Sequence, residues 1–287
     1  MKIGITGATG QLGQLVVQKL KEKNPDAKLV ALVRNPDKAK PLGLEAKPFD
    51  YEQPEALPKA LEDIDRLVFI SGSEIGKRET QHKNVINAAK QARVKQIAYT
   101  SLLHADTSSM ILAPEHLATE KMLQDSGIPH TILRNGWYTE NYTAGLKQAV
   151  EQGAIIGSAG DGKISSATRE DYAEALAETI INDDHTGKTY ELAGDQTYTM
   201  QDLATEVSKQ TGKNIEFMNL PEAEYAQKLQ EMGLPEGMAK AFASLDYSAS
   251  KNDLYNQDQM LSKLIKRPTT PLHKAVENAL ALHKPKA

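Results

Sequence analysis

The stretch KIGITGATGQLG (Lys2–Gly13) decides the fold. A short apolar strand pattern runs directly into a turn with glycines at Gly7, Gly10 and Gly13. A helical pattern follows at once, with Leu12, Leu15, Val16 and Leu20 on one face. A dinucleotide pyrophosphate requires this order: a tight turn, backbone free of Cβ interference, and a helix N-terminus facing the negative charge. Thr6, Gly7, Thr9, Gly10, Gln11, Leu12 and Gly13 are expected to line the phosphates. The spacing is GxxGxxG rather than GxGxxG, so the reading rests on its place between an N-terminal strand and an amphipathic helix.

About twenty residues on, where the ribose is read, the chain has LVALVRNP (Leu29–Pro36). A carboxylate there accepts the ribose 2′-hydroxyl proton; Arg34 instead offers a fixed cation to a 2′-phosphate. With no acidic residue between Arg34 and Asp37, NADP(H) is favoured over NAD(H), with Asn35 and Lys38 as helpers. The plainer alternative is a surface arginine at a strand end. Asp50 and Tyr51 follow the third strand and are expected to border the adenine, an ordinary acidic turn being the alternative. Ser71, Gly72 and Ser73 close the fourth strand, and their small side chains let the ribose and nicotinamide half approach the backbone.

Strands are expected at Lys2–Thr6, Lys28–Val33, Ala46–Phe49, Arg66–Ile70, Gln96–Thr100 and His130–Leu133, with crossover helices at Gln81–Ala92 and Glu115–Ser126, the second stopped by Gly127. The alternation predicts an α/β fold, a Rossmann doubly wound parallel sheet. It fades after about residue 150. A helix resumes at Asp171, Thr189–Leu192 and Ile215–Asn219 read as strands, and Thr199 with Asp202 reads as a capping box opening a helix that ends near Gly212. The expected division is a Rossmann domain over 1–152, with a return segment at about 164–193, and a smaller, mainly C-terminal α/β lobe over 194–287 with 153–163.

The chain has 287 residues, 40% hydrophobic and 25% charged, with a formal net charge of -4 that gives no support to nucleic-acid binding. The basic cluster Lys263, Lys266 and Arg267 reads as a solvated face. With no cysteine, disulfides, thiolate nucleophiles and cysteine-held metals are excluded, and the seven histidines show no metal-binding spacing. No run reaches the roughly 18 apolar residues of a membrane span and no signal-peptide pattern is present, so a cytoplasmic protein is expected. A homodimer is among the expected associations.

The GATGQLG start, VRNP, the Thr100–Ser101 pair and RNGWYTENY (Arg134–Tyr142) together resemble the atypical short-chain dehydrogenases of the NmrA-like group. More narrowly, the chain resembles the bacterial NAD(P)H:quinone oxidoreductases of the second type. The resemblance runs through SGSEIG (Ser71–Gly76), QHKNVINAAK (Gln81–Lys90), IAYTSLLHADTS (Ile97–Ser108), LRNGWYTENY (Leu133–Tyr142), GSAGDGKISSATR (Gly157–Arg169) and YELAGD (Tyr190–Asp195). It implies two-electron reduction of quinones by NADPH without flavin. The Tyr-x-x-x-Lys proton relay of the wider superfamily is absent, its two positions falling near Leu112 and at His116. This disfavours alcohol and sugar-epimerase chemistry. Hydride addition to a quinone gives an aromatic hydroquinone anion and needs little acid–base help, so the work is positioning.

Within this reading Trp137, Tyr138, Asn141 and Tyr142 build the acceptor pocket, with Tyr138, Asn141 and His116 as candidate catalytic groups. Ser101, Asn135, Gly136, Trp137 and Arg169 are expected on the cofactor side. For His116 the alternative is a partly exposed polar helix residue; for Arg169 it is an ion pair with Glu170 or Asp171. His82 and His104 have no positional argument. A second function class is a redox sensor that binds the dinucleotide and acts through a protein partner, as NmrA-like sensors that have lost the same relay do.

Overall fold

Strand and helix alternate through the first half as β1 (Lys2–Thr6), α1 (Gln11–Lys23), β2 (Lys28–Val33), β3 (Glu45–Pro48), α2 (Leu57–Ala60), β4 (Arg66–Phe69), α3 (Arg78–Gln91), β5 (Gln96–Leu102), α4 (Ala113–Ser126) and β6 (His130–Asn135). The chain continues through α5 (Thr139–Thr143), α6 (Leu146–Gln152), β7 (Ala154–Gly157), α7 (Arg169–Ile181), β8 (Thr189–Leu192), α8 (Met200–Thr211), β9 (Glu216–Asn219), α9 (Glu222–Glu231), α10 (Glu236–Ala249), α11 (Met260–Ile265) and α12 (Leu272–Ala281). This is a computed structural model describing residues 1–281; residues 282–287, the end of the expected C-terminal lobe, lie outside the described residues.

Among the described residues, seven strands form one sheet in the order β3-β2-β1-β4-β5-β6-β8. All its pairings are parallel. The order reverses between β1 and β4, which opens a crevice at the strands' carboxyl ends, where such sheets bind ligands. The strands are apolar on both faces because both are covered. Ile3, Ile5, Ala31 and Val68 pack with Leu12, Val16 and Leu20 of α1 and Tyr172 and Leu176 of α7. Val30, Leu32, Leu67, Phe69 and Tyr99 pack with Val85 and Ile86 of α3 and Leu123 of α4. Gly127 ends α4 at φ +73, in the left-handed region that glycine adopts freely.

β5 and β6 run past the expected Thr100 and Leu133 to Leu102 and Asn135, so Ser101 and Asn135 are strand residues. α3 and α4 begin earlier than expected, at Arg78 and Ala113, the latter with proline in its first turn. The ends of β3, β4 and β9 differ from expectation by single residues, the usual fraying of short strands.

A second core gathers Leu146, Ile155, Tyr198, Leu203, Leu245 and Val276 around the parallel pair β7 and β9. The capping box at Thr199 and Asp202 is present, and Gly212 caps the far end of α8. One C-terminal piece departs from the expected division: α11 returns Leu261, Leu264 and Ile265 to the first core. The basic cluster beside it is not merely a solvated face. Arg267 pairs with the fully buried Asp171 at 2.8 Å and with Glu174 at 2.7 Å, and Lys266 reaches Glu178 at 2.9 Å. These contacts fasten the end of α11 to α7. No helix among the described residues is long and apolar enough to cross a membrane.

Candidate active site

The glycine turn fits a pyrophosphate. Gly7 sits at φ +60, and its carbonyl accepts the Gly10 N–H at 2.9 Å. A Cβ on Gly13 would lie 2.2 Å from that carbonyl oxygen and 2.7 Å from Ala8 Cα, so α1 packs directly against the turn. Gly10 caps α1 without any side-chain hydrogen bond, and the first turn carries no acidic residue. The opening N–H groups of the helix are therefore free for an anion. Gly7, Gly10 and Gln11 are exposed at this tip and Thr9 is half-buried, whereas the Leu12 side chain lies in the core. Thr6 is buried; its Oγ1 accepts the Ile70 N–H at 2.9 Å and ties the end of β1 to the end of β4.

Arg34 stands just after β2 with its side chain 75% exposed and meets Glu74 at a loose 3.8 Å. The Asn35 side chain is already used, accepting the Asp37 N–H at 2.9 Å, and Lys38 is exposed. Asp50 accepts the Glu52 N–H in a turn. Tyr51 packs beside the end of β4: its hydroxyl donates to the Ile70 carbonyl at 2.9 Å, and its ring meets Phe49, Phe69 and His82 edge-on. Burial pushes its phenol well up from the ordinary value.

The segment after β4 is held by side chains from several elements. The Ser71 N–H donates to Thr100 Oγ1 at 2.9 Å and the Gly72 N–H to His82 Nε2 at 2.9 Å. Arg78 Nε donates to the Gly72 carbonyl at 2.6 Å. Glu115 Oε1 accepts the N–H groups of Gly76 and Arg78, and its Oε2 pairs with the Arg78 guanidinium at 3.0 Å. Ser73 is exposed beside them. The sequence reading missed Arg78, His82, Thr100 and Glu115. The visible signal was polar: Arg78, Gln81 and His82 share the buried stripe of α3 with Val85 and Ile86.

Ser101 and His116 address buried networks. Ser101 donates to Glu120, which takes a two-pronged contact from Arg134 at 2.9 and 2.8 Å. Arg134 also reaches Glu191 at 2.7 Å and Asp106 at 3.1 Å. His116 is 4% exposed, not a partly exposed helix residue, and its Nδ1 shares a hydrogen bond with the Tyr99 hydroxyl. Burial, with the Arg78 cation, pushes its pKa down to about 3.

RNGWYTENY leads from β6 into α5. Asn135 is buried, and neither atom of its carboxamide has a hydrogen-bond partner. A buried amide with no partner is costly, so a ligand that pairs with it is favoured. Gly136 is tightly packed: a Cβ would stand 3.0 Å from the Tyr172 hydroxyl and 3.1 Å from the Leu192 carbonyl. Trp137 is half-buried against the second core. Tyr138, Asn141 and Arg169 come together. The Arg169 guanidinium lies 4.5 Å from the Tyr138 ring centroid and donates to Asn141 Oδ1 at 2.7 Å.

Arg169 pairs with Glu140 at 3.5 Å rather than with its sequence neighbours, since Glu170 goes to Lys19 and Asp171 to Arg267. Burial raises the Tyr138 phenol above its ordinary value, against the pull of Arg169. The Tyr142 hydroxyl is buried without a partner beside the second core, and burial raises it strongly, Asp246 adding to the effect. His104, which had no positional argument, donates its N–H to Glu191 at 2.8 Å.

Residues 7–183 match the family model described as NAD(P)H-binding. The chain is 53% identical to quinone oxidoreductase 2 of Escherichia coli, over 96% of this chain and 98% of that protein. The crystal structure of the Escherichia coli NADPH-dependent quinone oxidoreductase complexed with NADPH aligns over 97% of this chain and 99% of that chain, with a TM-score of 0.94 and 53% identity. Citrobacter sp. triphenylmethane reductase complexed with NADP(H) aligns over 96% and 99%, with a TM-score of 0.93 and 40% identity. The chain belongs to the NAD(P)H-binding family and, within it, to the type-2 quinone oxidoreductases.

Proposed function

We propose that this protein reduces quinones to hydroquinones with NADPH in one two-electron step, without a flavin. The carrying observation is the 53% identity across 96% of the chain to the Escherichia coli quinone oxidoreductase. The residues present suit the cofactor. Gly7 to Gly13 and the uncapped start of α1 would hold the pyrophosphate, Arg34 the 2′-phosphate, and Ser71 to Ser73 with Asn135 and Gly136 the nicotinamide half. When bound, the cofactor supplies the hydride.

The remaining work belongs to the chain. Trp137, Tyr138, Asn141 and Tyr142 would form the wall against which a flat acceptor lies. Tyr138, its phenol kept protonated by burial, would donate a hydrogen bond to the developing oxyanion. One proton from solvent completes the hydroquinone. His116, neutral and bonded to Tyr99, shapes the site without serving as an acid near neutral pH.

Mixing purified, flavin-free protein with NADPH and soluble benzoquinones or naphthoquinones tests this directly. Steady loss of NADPH absorbance that depends on the quinone is expected. Tight NADPH binding without turnover would overturn it in favour of the sensor reading. The triphenylmethane reductase relative supports a second acceptor class. Hydride addition to a triarylmethyl cation yields a neutral product with no proton required, which suits a site lacking the Tyr-x-x-x-Lys relay.

A further inference from the structure

The loop that follows β4 passes through the crevice where the strand order reverses, and Gly72 is held on both sides there. Its N–H donates to His82 Nε2 at 2.9 Å and its carbonyl accepts Arg78 Nε at 2.6 Å. The two peptide planes that flank the Gly72 Cα are thus fixed by different side chains of α3. α3 also packs closely on Gly72 itself, where a Cβ would stand 2.8 Å from Gln81 Oε1 and 3.5 Å from His82 Nε2.

Each holding group is held in turn. The Thr119 hydroxyl donates to the Glu115 carbonyl at 2.8 Å, so its oxygen accepts from His82 Nδ1, also at 2.8 Å. That assigns the proton of His82 to Nδ1 and leaves Nε2 as the acceptor that Gly72 needs. Arg78 is anchored by Glu115, and Glu115 also takes the backbone of Gly76 and Arg78. Two crossover helices converge on one loop. His82 is fully buried and Arg78 nearly so. Taking an imidazole, a guanidinium and a carboxylate out of water is expensive, and a loop needing only to be ordered is satisfied more cheaply by water or a short polar side chain.

We propose that His82 and Arg78 are positioning residues for NADPH: by fixing both peptides of Gly72 they present Ser71–Gly72–Ser73 as a rigid backbone edge to the ribose and nicotinamide half of the cofactor. This rests on the cofactor reading given above. Burial, with His116 and Arg78 nearby, pushes His82 down to about 3, so Nε2 stays an acceptor throughout the working pH range.

His82→Phe keeps a ring among Tyr51, Phe69 and Tyr99 but leaves the Gly72 N–H without its acceptor. Freeing that peptide from its fixed orientation is expected to weaken binding by a factor of about 10, the scale of one hydrogen bond. The expected result is a rise of about tenfold in the NADPH Kd and KM, the quinone KM unchanged, and recovery in His82→Gln, which returns an acceptor. Thr119→Val removes the group that sets the His82 tautomer and should raise the NADPH Kd several-fold. It carries the test if His82→Phe does not fold. Wild-type NADPH Kd in folded His82→Phe, or in Thr119→Val alone where the former fails to fold, overturns the proposal. Failure of the wild type to bind NADPH would instead sink the cofactor reading.

Discussion

The Tyr99 hydroxyl and His116 Nδ1 lie 2.8 Å apart between β5 and α4. Both groups are buried, and neither His116 nor the nearby His82 carries charge in the folded protein, each being pushed down to about 3 chiefly by burial. In the unfolded chain each ring titrates near 6.5. Between those values the unfolded state binds more protons, so stability falls as the pH drops below about 6.5 and is unaffected by these rings above it. From pH 7 to pH 5 the expected loss is about 2 kcal/mol per ring, read from urea unfolding. His116→Asn, whose carboxamide keeps a partner for Tyr99, should remove about half of the combined loss. An unchanged pH dependence in that variant would assign the titration to other groups.

Arg34 is exposed and loosely paired, so its cation is available to a ligand at little desolvation cost. Arg34→Asp should weaken NADPH binding by about 2 kcal/mol, roughly 30-fold in Kd, while leaving NADH binding unchanged or improved. Titrating both cofactors into the wild type and the variant separates the outcomes. A parallel loss for both would remove the 2′-phosphate assignment.

Arg134 of β6 gathers carboxylates from α4, β8 and the segment after β5, touching Glu120, Glu191 and Asp106 with its side chain 11% exposed. Arg134→Met leaves a buried carboxylate uncompensated and should cost about 3–5 kcal/mol. Glu120→Gln should cost less, because Glu191 and Asp106 still neutralise the guanidinium. Denaturant midpoints at constant m-value measure both. Equal losses in the two variants would mean that the charge of Glu120, rather than that of Arg134, holds the cluster.

The regular elements and their caps were legible because their causes are local. Strand alternation, the apolar stripe of α1, Gly127 as a cap and the Thr199–Asp202 box all depend on residues a few positions apart. The contacts of His82, Arg78 and Glu115 were not legible, because side chains there answer backbone groups on other elements and no period in the sequence marks such a pairing. Arg169 shows the same limit: its neighbours Glu170 and Asp171 were the natural partners in sequence, but they turn to Lys19 and Arg267, and Glu140 takes their place. α11 also misled a linear division, since a C-terminal helix completes the N-terminal core.

Arg169 offers a way to divide the acceptor side from the cofactor side. Its guanidinium covers the Tyr138 ring and holds the Asn141 side chain, and both of those residues belong to the proposed acceptor wall. Arg169→Met keeps the length of the stem and removes both contacts. A cation over an aromatic ring and one charged hydrogen bond together correspond to about 1–3 kcal/mol. The quinone kcat/KM should therefore fall about tenfold or more. The NADPH Kd should stay within about twofold if the residue serves the acceptor, because its guanidinium meets Tyr138, which precedes α5, and Glu140 and Asn141 within that helix. A loss that falls on NADPH instead, with the quinone KM preserved, would place Arg169 on the cofactor and leave Tyr138 and Asn141 to hold the acceptor without it.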